Sequence, residues 1–193
     1  MNEQADIDKL LEWARQGNRE ACWRLIAPHR GLIYATALGM LKDPDQAADL
    51  LAEALLAAAR SIGSLRRADR LPGWLHSLTR NLALDLIRRE QRRRKAMARA
   101  AREAAVVPVA DWVEKERRLA TMEEAIGELP EPFRVILALK YMNGYSCARM
   151  AEILDISVSA VKSRLFEARK LLRKKTEALA RAREMDGHES RTV

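Results

Sequence analysis

Cysteine is nearly missing from this chain of 193 residues: Cys22 and Cys147 are the two, far apart and in no C-x-x-C pair. That excludes a disulfide scaffold and reads as two buried thiols in a reducing compartment. Histidine is as scarce. His29, His76 and His188 stand alone, without ligand spacing, so no metal site is expected. Paired acids and His–Cys constellations are also lacking, which argues against an enzyme and against a cofactor. Eight Gly and six Pro interrupt an Ala- and Leu-rich sequence in which β-branched runs are few, so an all-α fold is expected. No apolar run approaches the ~20 residues of a membrane span, and no membrane insertion is expected. The opening MNEQADIDKLLEWARQG is acidic and amphipathic, unlike a signal peptide, and a cytoplasmic protein is the expectation.

What the chain has in excess is positive charge. The formal net charge is +8 and the isoelectric point about 9.9. Such an excess favours a polyanionic partner without naming one. Its clustering is more telling: from Arg88 to Arg102 there are eight Arg or Lys and one acid, Glu90.

Along the chain, residues 6–16 predict a short amphipathic helix ended by Gly17, with Asn18 as the next N-cap. A second helix is predicted to run to about Leu41, bent at Pro28, with Trp23, Leu25 and Ile26 available to the core. Asp43-Pro44-Asp45-Gln46 is a strong helix start, with Asp43 as cap, Pro44 in the first turn and Gln46 completing a capping box. That helix is predicted to reach about Arg60. After a basic loop, Pro72 opens a fourth helix whose tail turns basic after Arg88. Pro108, in a run of small residues, marks a linker. Four more helices are predicted beyond it, and each half should build its own small core. After Lys175 the chain is predicted to fray.

Residues 146–172, SCARMAEILDISVSAVKSRLFEARKLL, read as a helix-turn-helix. Ser146 caps the first helix, and Met150, Ala151, Ile153 and Leu154 face inward. The small Ala151 lets the second helix cross closely. Asp155 occupies the turn, where a left-handed conformation is needed and Asp tolerates it better than most residues. Ser157 caps the second helix, with Val158, Val161 and Leu165 inward. Ser159, Lys162, Ser163 and Arg164 then face outward, as a helix entering a DNA major groove requires. An ordinary helical hairpin with a solvated basic face is the plainer alternative.

VKSRLFEARKLLRK after AEILDIS resembles the fourth conserved region of bacterial RNA polymerase sigma factors, and ELPEPFRVILALKYMNGYS is similar to the helix before it. DPDQAADLLAEALLAAAR resembles the helix of the second region that docks on core polymerase. GWLHSLTRNLALDLIRR resembles the helix that reads the minus-ten element. Order, spacing and the missing third region are similar to extracytoplasmic-function (ECF) members of the sigma-70 family. There are departures. Ala52, Leu55 and Ala59 stand where the family usually has Gln, Phe and Trp, and Ser157, Ser159 and Ala160 replace a common Pro-Val-Gly-Thr start.

The resemblance implies an all-α chain of two small helical domains joined by a flexible linker. Residues 1–102 would be the region 2-like domain, 103–116 the linker, 117–178 the region 4-like domain and 179–193 a tail. It implies a non-catalytic initiation subunit whose partners are core RNA polymerase, promoter DNA and an anti-sigma protein. Duplex contacts fall to Ser157, Ser159, Lys162, Ser163 and Arg164, with Arg169 and Lys170 on the backbone. Arg164 is the best candidate for a bidentate guanine contact, since Lys lacks the guanidinium fork. Melted DNA falls to Arg66, Arg67, Arg80, Asn81, Arg88, Arg89 and Arg92; Trp74 falls on an apolar stripe and is read as core. Asp49, Leu50 and Glu53 keep the docking pattern, the two acids sharing one helix face. The competing readings are a stand-alone helix-turn-helix regulator and a sigma-like adaptor that does not bind core.

Overall fold

Helices account for nearly all of the regular structure in the computed structural model, which describes residues 3–100 and 122–189; the predicted linker, 103–116, lies outside them. Helix α1 spans Glu3–Arg15 and α2 spans Arg19–Ile26. Between them Gly17 takes φ +89°, and Asn18 accepts the Ala21 N–H at 3.0 Å as the N-cap. The single long helix predicted to reach Leu41 is divided. Pro28 sits in a 3-10 turn, Ala27–His29, and α3 restarts at Arg30–Leu41. Pro28 has no N–H to continue the ladder, which is the reason for the division. Lys42 closes α3 with φ 67°, a left-handed conformation that costs a non-glycine residue ~1 kcal/mol.

Helix α4, Pro44–Ser61, begins as its sequence requires. Asp43 Oδ1 accepts from the N–H groups of Asp45 and Gln46 at 2.9 and 3.0 Å. The Gln46 amide closes on Asp43 Oδ2 at 3.1 Å, so this cap is completed side chain to side chain. Two 3-10 turns, Ile62–Ser64 and Ala68–Arg70, lead into α5, Leu71–Ala100. The second half has α6 (122–127), α7 (Glu131–Tyr141), α8 (Cys147–Leu154) and α9 (Val158–Glu189). Helix α9 continues well past Lys175, where fraying was predicted.

The two halves do not keep separate cores. Leu32, Ile33, Leu50 and Leu75 from the first half join Ile136, Leu139, Met150 and Val161 from the second in one continuous apolar cluster. Burying each such side chain contributes ~1.5–3 kcal/mol. The junction is α3 against α7, fixed by Arg134 of α7. The residue is 8 % exposed, and its guanidinium donates to the carbonyls of Gly39 at 2.7 Å, Met40 at 3.1 Å and Leu129. Two apolar assignments are corrected. Trp23 is 59 % exposed on the outer side of α2, one position round from the buried Cys22, and Val158 is 40 % exposed in the first turn of α9, before the buried stripe begins at Val161.

Candidate nucleic-acid and polymerase interface

The helix-turn-helix is built as its residues dictate. Ser146 accepts the Arg149 N–H at 3.1 Å, and Asp155 takes φ 52° in the turn. Ser157 Oγ accepts the Ala160 N–H at 3.1 Å and lies 2.9 Å from Ser159 Oγ. Both hydroxyls are therefore partly committed to starting α9. Val161, Leu165 and Ala168 are 0, 4 and 0 % exposed and define the inward stripe. Lys162, Ser163, Arg169 and Lys170 are consequently exposed on the other side. Arg164 is half-buried and faces a cleft toward the first half of the chain. Arg169 is braced by Tyr141, whose hydroxyl receives its Nε at 2.9 Å and whose ring centre lies 5.9 Å from the guanidinium carbon.

One residue on this face escaped the sequence reading. Phe166 is 65 % exposed in the midst of the cationic stripe. A large apolar ring has no folding reason to stand there, and such groups contact the thymine methyl in a major groove. Its place one position beyond the buried Leu165 was the available signal.

The residues assigned to melted DNA lie on α5 and the loop before it. Arg66, Asn81 and Arg89 are exposed. Arg67 is paired with Asp69 at 2.7 Å, and this hydrogen bond is the main reason the Asp69 carboxyl is held below its ordinary range. Arg88 meets Asp85 at 3.3 Å, and Arg92 Nε reaches the Arg88 carbonyl at 3.3 Å. Arg80 pairs with Glu131 of α7 at 3.4 Å. Trp74 is half-buried against the core, as its stripe predicts. Beneath Arg80, His76 is buried with its Nδ1 3.1 Å from Thr36 Oγ1. Burial, then the charge of Arg80, lowers its pKa to about 4.

On α4, Asp49 and Glu53 are both exposed and share one face. Leu50 does not join them. It is 2 % exposed and points into the core, one position round the helix, so its assignment as a docking residue is corrected to a support beneath that face. Leu56 extends the acidic stripe by one further turn and is 62 % exposed. Beside it a shallow groove of about 500 Å³ is lined by Cys22, Trp23, Leu55 and Ala59. The Ala residues at 52 and 59 lower the relief of this face, and Leu56 with Trp23 supplies its apolar surface. Burial raises the Cys22 thiol pKa. Among the described residues no cluster of His, Cys, Asp or Glu has the grouping of a metal site, and no helix is long and apolar enough to cross a membrane.

Two family profiles match the chain, Sigma-70 region 2 over residues 25–93 and Sigma-70, region 4 over residues 119–172. Among curated relatives, it is 32% identical over 168 residues to the ECF RNA polymerase sigma factor SigM of Mycobacterium tuberculosis, covering 87% of this chain and 83% of the relative. It is 28% identical over 178 residues to the ECF RNA polymerase sigma factor SigW of Bacillus subtilis, covering 87% of this chain and 95% of that protein. Among solved structures, CnrH in complex with the cytosolic domain of CnrY aligns with a TM-score of 0.60 at 24% identity, over 88% of this chain and 96% of that one. The sigma factor RpoE in complex with the anti-sigma factor NepR from Bartonella quintana aligns with a TM-score of 0.57 at 22% identity, over 79% and 94%.

Proposed function

The chain belongs to the ECF group of RNA polymerase sigma factors, non-catalytic subunits of transcription initiation, and from that premise we propose how its own residues divide the work. Residues 1–102 act as the region 2 module and 117–178 as the region 4 module, joined by 103–116 and followed by the tail 179–193. The module ending in α9 reads duplex DNA at the minus-thirty-five element. Lys162, Ser163 and Arg164 reach base edges, Phe166 covers a thymine methyl, and Arg169 and Lys170 hold phosphates. Ser157 and Ser159 set the start of the helix, leaving their second hydrogen bonds for phosphate. The observation that carries this reading is the stripe of exposed cations around Phe166, held outward by the buried Val161, Leu165 and Ala168.

Opening of the minus-ten element falls to α5. Extruding a base costs a few kcal/mol, which contacts to the flipped base and its strand must offset. Asn81 offers both a donor and an acceptor for a base edge, and Arg80 a charge beside it. Arg66, Arg67, Arg88, Arg89 and Arg92 carry the single strand by its phosphates. Asp49, Glu53 and Leu56 meet core polymerase, the acids facing cations of the partner and Leu56 an apolar contact. We assign the protein to the cytoplasm and a separate anti-sigma protein to its regulation, by analogy with RpoE of Bartonella quintana, which is bound by the anti-sigma factor NepR.

Titration of labelled protein against core RNA polymerase, followed by binding to a partly melted promoter fragment, tests the assignment. Saturable binding to core and a ternary complex that requires both proteins are the expected results. Specific binding to duplex DNA with no affinity for core would replace this assignment with a stand-alone regulator.

A further inference from the structure

The arginines assigned to DNA are held by partners of two kinds. Carboxylates hold three of them: Asp69 lies 2.7 Å from Arg67, Glu131 3.4 Å from Arg80 and Asp85 3.3 Å from Arg88. A phosphate must displace or share those acids. Arg169 of α9 is held by a neutral group instead. Its Nε donates to the Tyr141 hydroxyl at 2.9 Å, and its guanidinium carbon lies 5.9 Å from the centre of that ring. Tyr141 is the last residue of α7 and its ring is exposed, so burial gives no account of it. Phe166, three residues before Arg169, lies on the same face of α9.

The contact orients the guanidinium without cancelling its charge. Nε is engaged, and both Nη groups keep their hydrogens for a phosphate. The Tyr141 oxygen accepts from Nε and keeps its own O–H to donate. Two donors on different helices are thus held one hydrogen bond apart, and one phosphate can accept from both. A long side chain fixed beforehand also loses less rotamer freedom on binding.

Position along α9 decides between base and phosphate. A recognition helix touches base edges with its N-terminal residues. Lys162 and Ser163 lie in the second turn. Arg169 stands about three turns, ~16 Å, beyond the start of α9 at Val158. The major groove is only ~8.5 Å deep. With the start of α9 on the bases, Arg169 and Tyr141 are level with the sugar–phosphate backbone.

We propose that Tyr141 is a DNA-contacting and positioning residue: its hydroxyl and the Arg169 guanidinium form a two-helix clamp on a single phosphate beside the minus-thirty-five element. The proposal rests on the assignment of α9 to duplex DNA. The clamp ties α7 to the backbone and fixes the seating of α9, so it supports base discrimination by Lys162 and Arg164 without reading sequence itself.

The test uses the full chain assembled with core polymerase, on a duplex promoter fragment chosen by its run-off transcript. Tyr141→Phe removes only the hydroxyl, and thermal unfolding should not move, because the residue is exposed. Affinity should fall about three- to tenfold, the worth of one hydrogen bond, and equally across base-pair variants of the site. Arg169→Ala should weaken binding further and lower the salt slope by about one. The double variant should be little worse than Arg169→Ala alone. A methylphosphonate at one phosphate, which removes its charge, should weaken wild type and erase the difference between wild type and both variants. Tyr141→Phe binding as wild type, while Arg169→Ala and Arg164→Ala are weakened, would overturn the clamp and leave the α9 assignment standing. Losses that multiply in the double variant, with no phosphate common to both residues, would overturn it as well. No transcript from any fragment would remove the α9 assignment and the clamp together.

Discussion

Replacing Arg134 with Met should be among the most damaging single changes available in this chain. The residue is 8 % exposed, and its guanidinium serves three backbone carbonyls, those of Gly39, Met40 and Leu129. Hydrogen bonds to a charged group contribute about 1.5–3 kcal/mol each, though not additively. Met restores the apolar stem but leaves all three carbonyls without this donor. The loss should be about 3–5 kcal/mol. For a chain of this size about 2–4 °C of Tm accompanies each kcal/mol, so thermal unfolding followed by circular dichroism should show a drop of roughly 6–20 °C. Arg134→Lys should recover little, because a single ammonium cannot span three acceptors fixed for a planar fork. If both variants unfold within about 1 kcal/mol of wild type, Arg134 is not the anchor of the α3–α7 junction.

Arg164→Ala should weaken promoter use and relax discrimination at one base pair by ~1–3 kcal/mol, read from initiation on a set of single-base promoter variants. Phe166→Ala should do the same at a neighbouring thymine, and substitution of uracil, which lacks the methyl, should reproduce the loss with the wild-type protein. Asp49→Ala with Glu53→Ala should reduce affinity for core polymerase most at low salt, while Leu56→Ser should reduce it at all salt concentrations, since only the first contact is screened. A binding titration at two ionic strengths separates them. His76 titrates near 6.5 when unfolded and about 4 when buried, so between these values the unfolded chain binds the extra proton. Stability should be full above about pH 6.5 and fall as pH drops toward 4, by up to roughly 3 kcal/mol, and His76→Gln should flatten that part of the profile in urea denaturation at several pH values.

Local structure was legible wherever a backbone group needs a particular side chain. Asn18, Asp43, Ser146 and Ser157 all cap the helices that their spacing announced. Asp155 takes the left-handed turn of the helix-turn-helix. The outward cationic face of α9 was likewise readable, because the buried Val161 and Leu165 fix which way Lys162 and Ser163 must point. What periodicity could not settle was the edge of each stripe. Leu50 and Leu56 are both apolar residues of one helix, and only the packing of α3 against α4 decides that the first is core and the second surface. Trp23 and Val158 were misplaced for the same reason.

The association of the two halves was hidden for a different cause. It depends on Gly31 and Gly39 meeting Asn143 and Val135 more than ninety positions away. A glycine in a helix announces only the absence of a side chain. Arg134, in an amphipathic segment of ordinary composition, carries no local sign that its charge will be buried. Long-range pairings of this kind follow from topology rather than from any window of sequence.

Run-off transcription with core RNA polymerase on a pool of native promoter fragments tests the central claim most directly. Wild-type protein should give discrete transcripts absent with core alone, reduced by Arg164→Ala on chosen promoters and by Asp49→Ala with Glu53→Ala on all of them. Transcripts indifferent to both sets of substitutions, or none from a protein that binds core and DNA, would contradict the account.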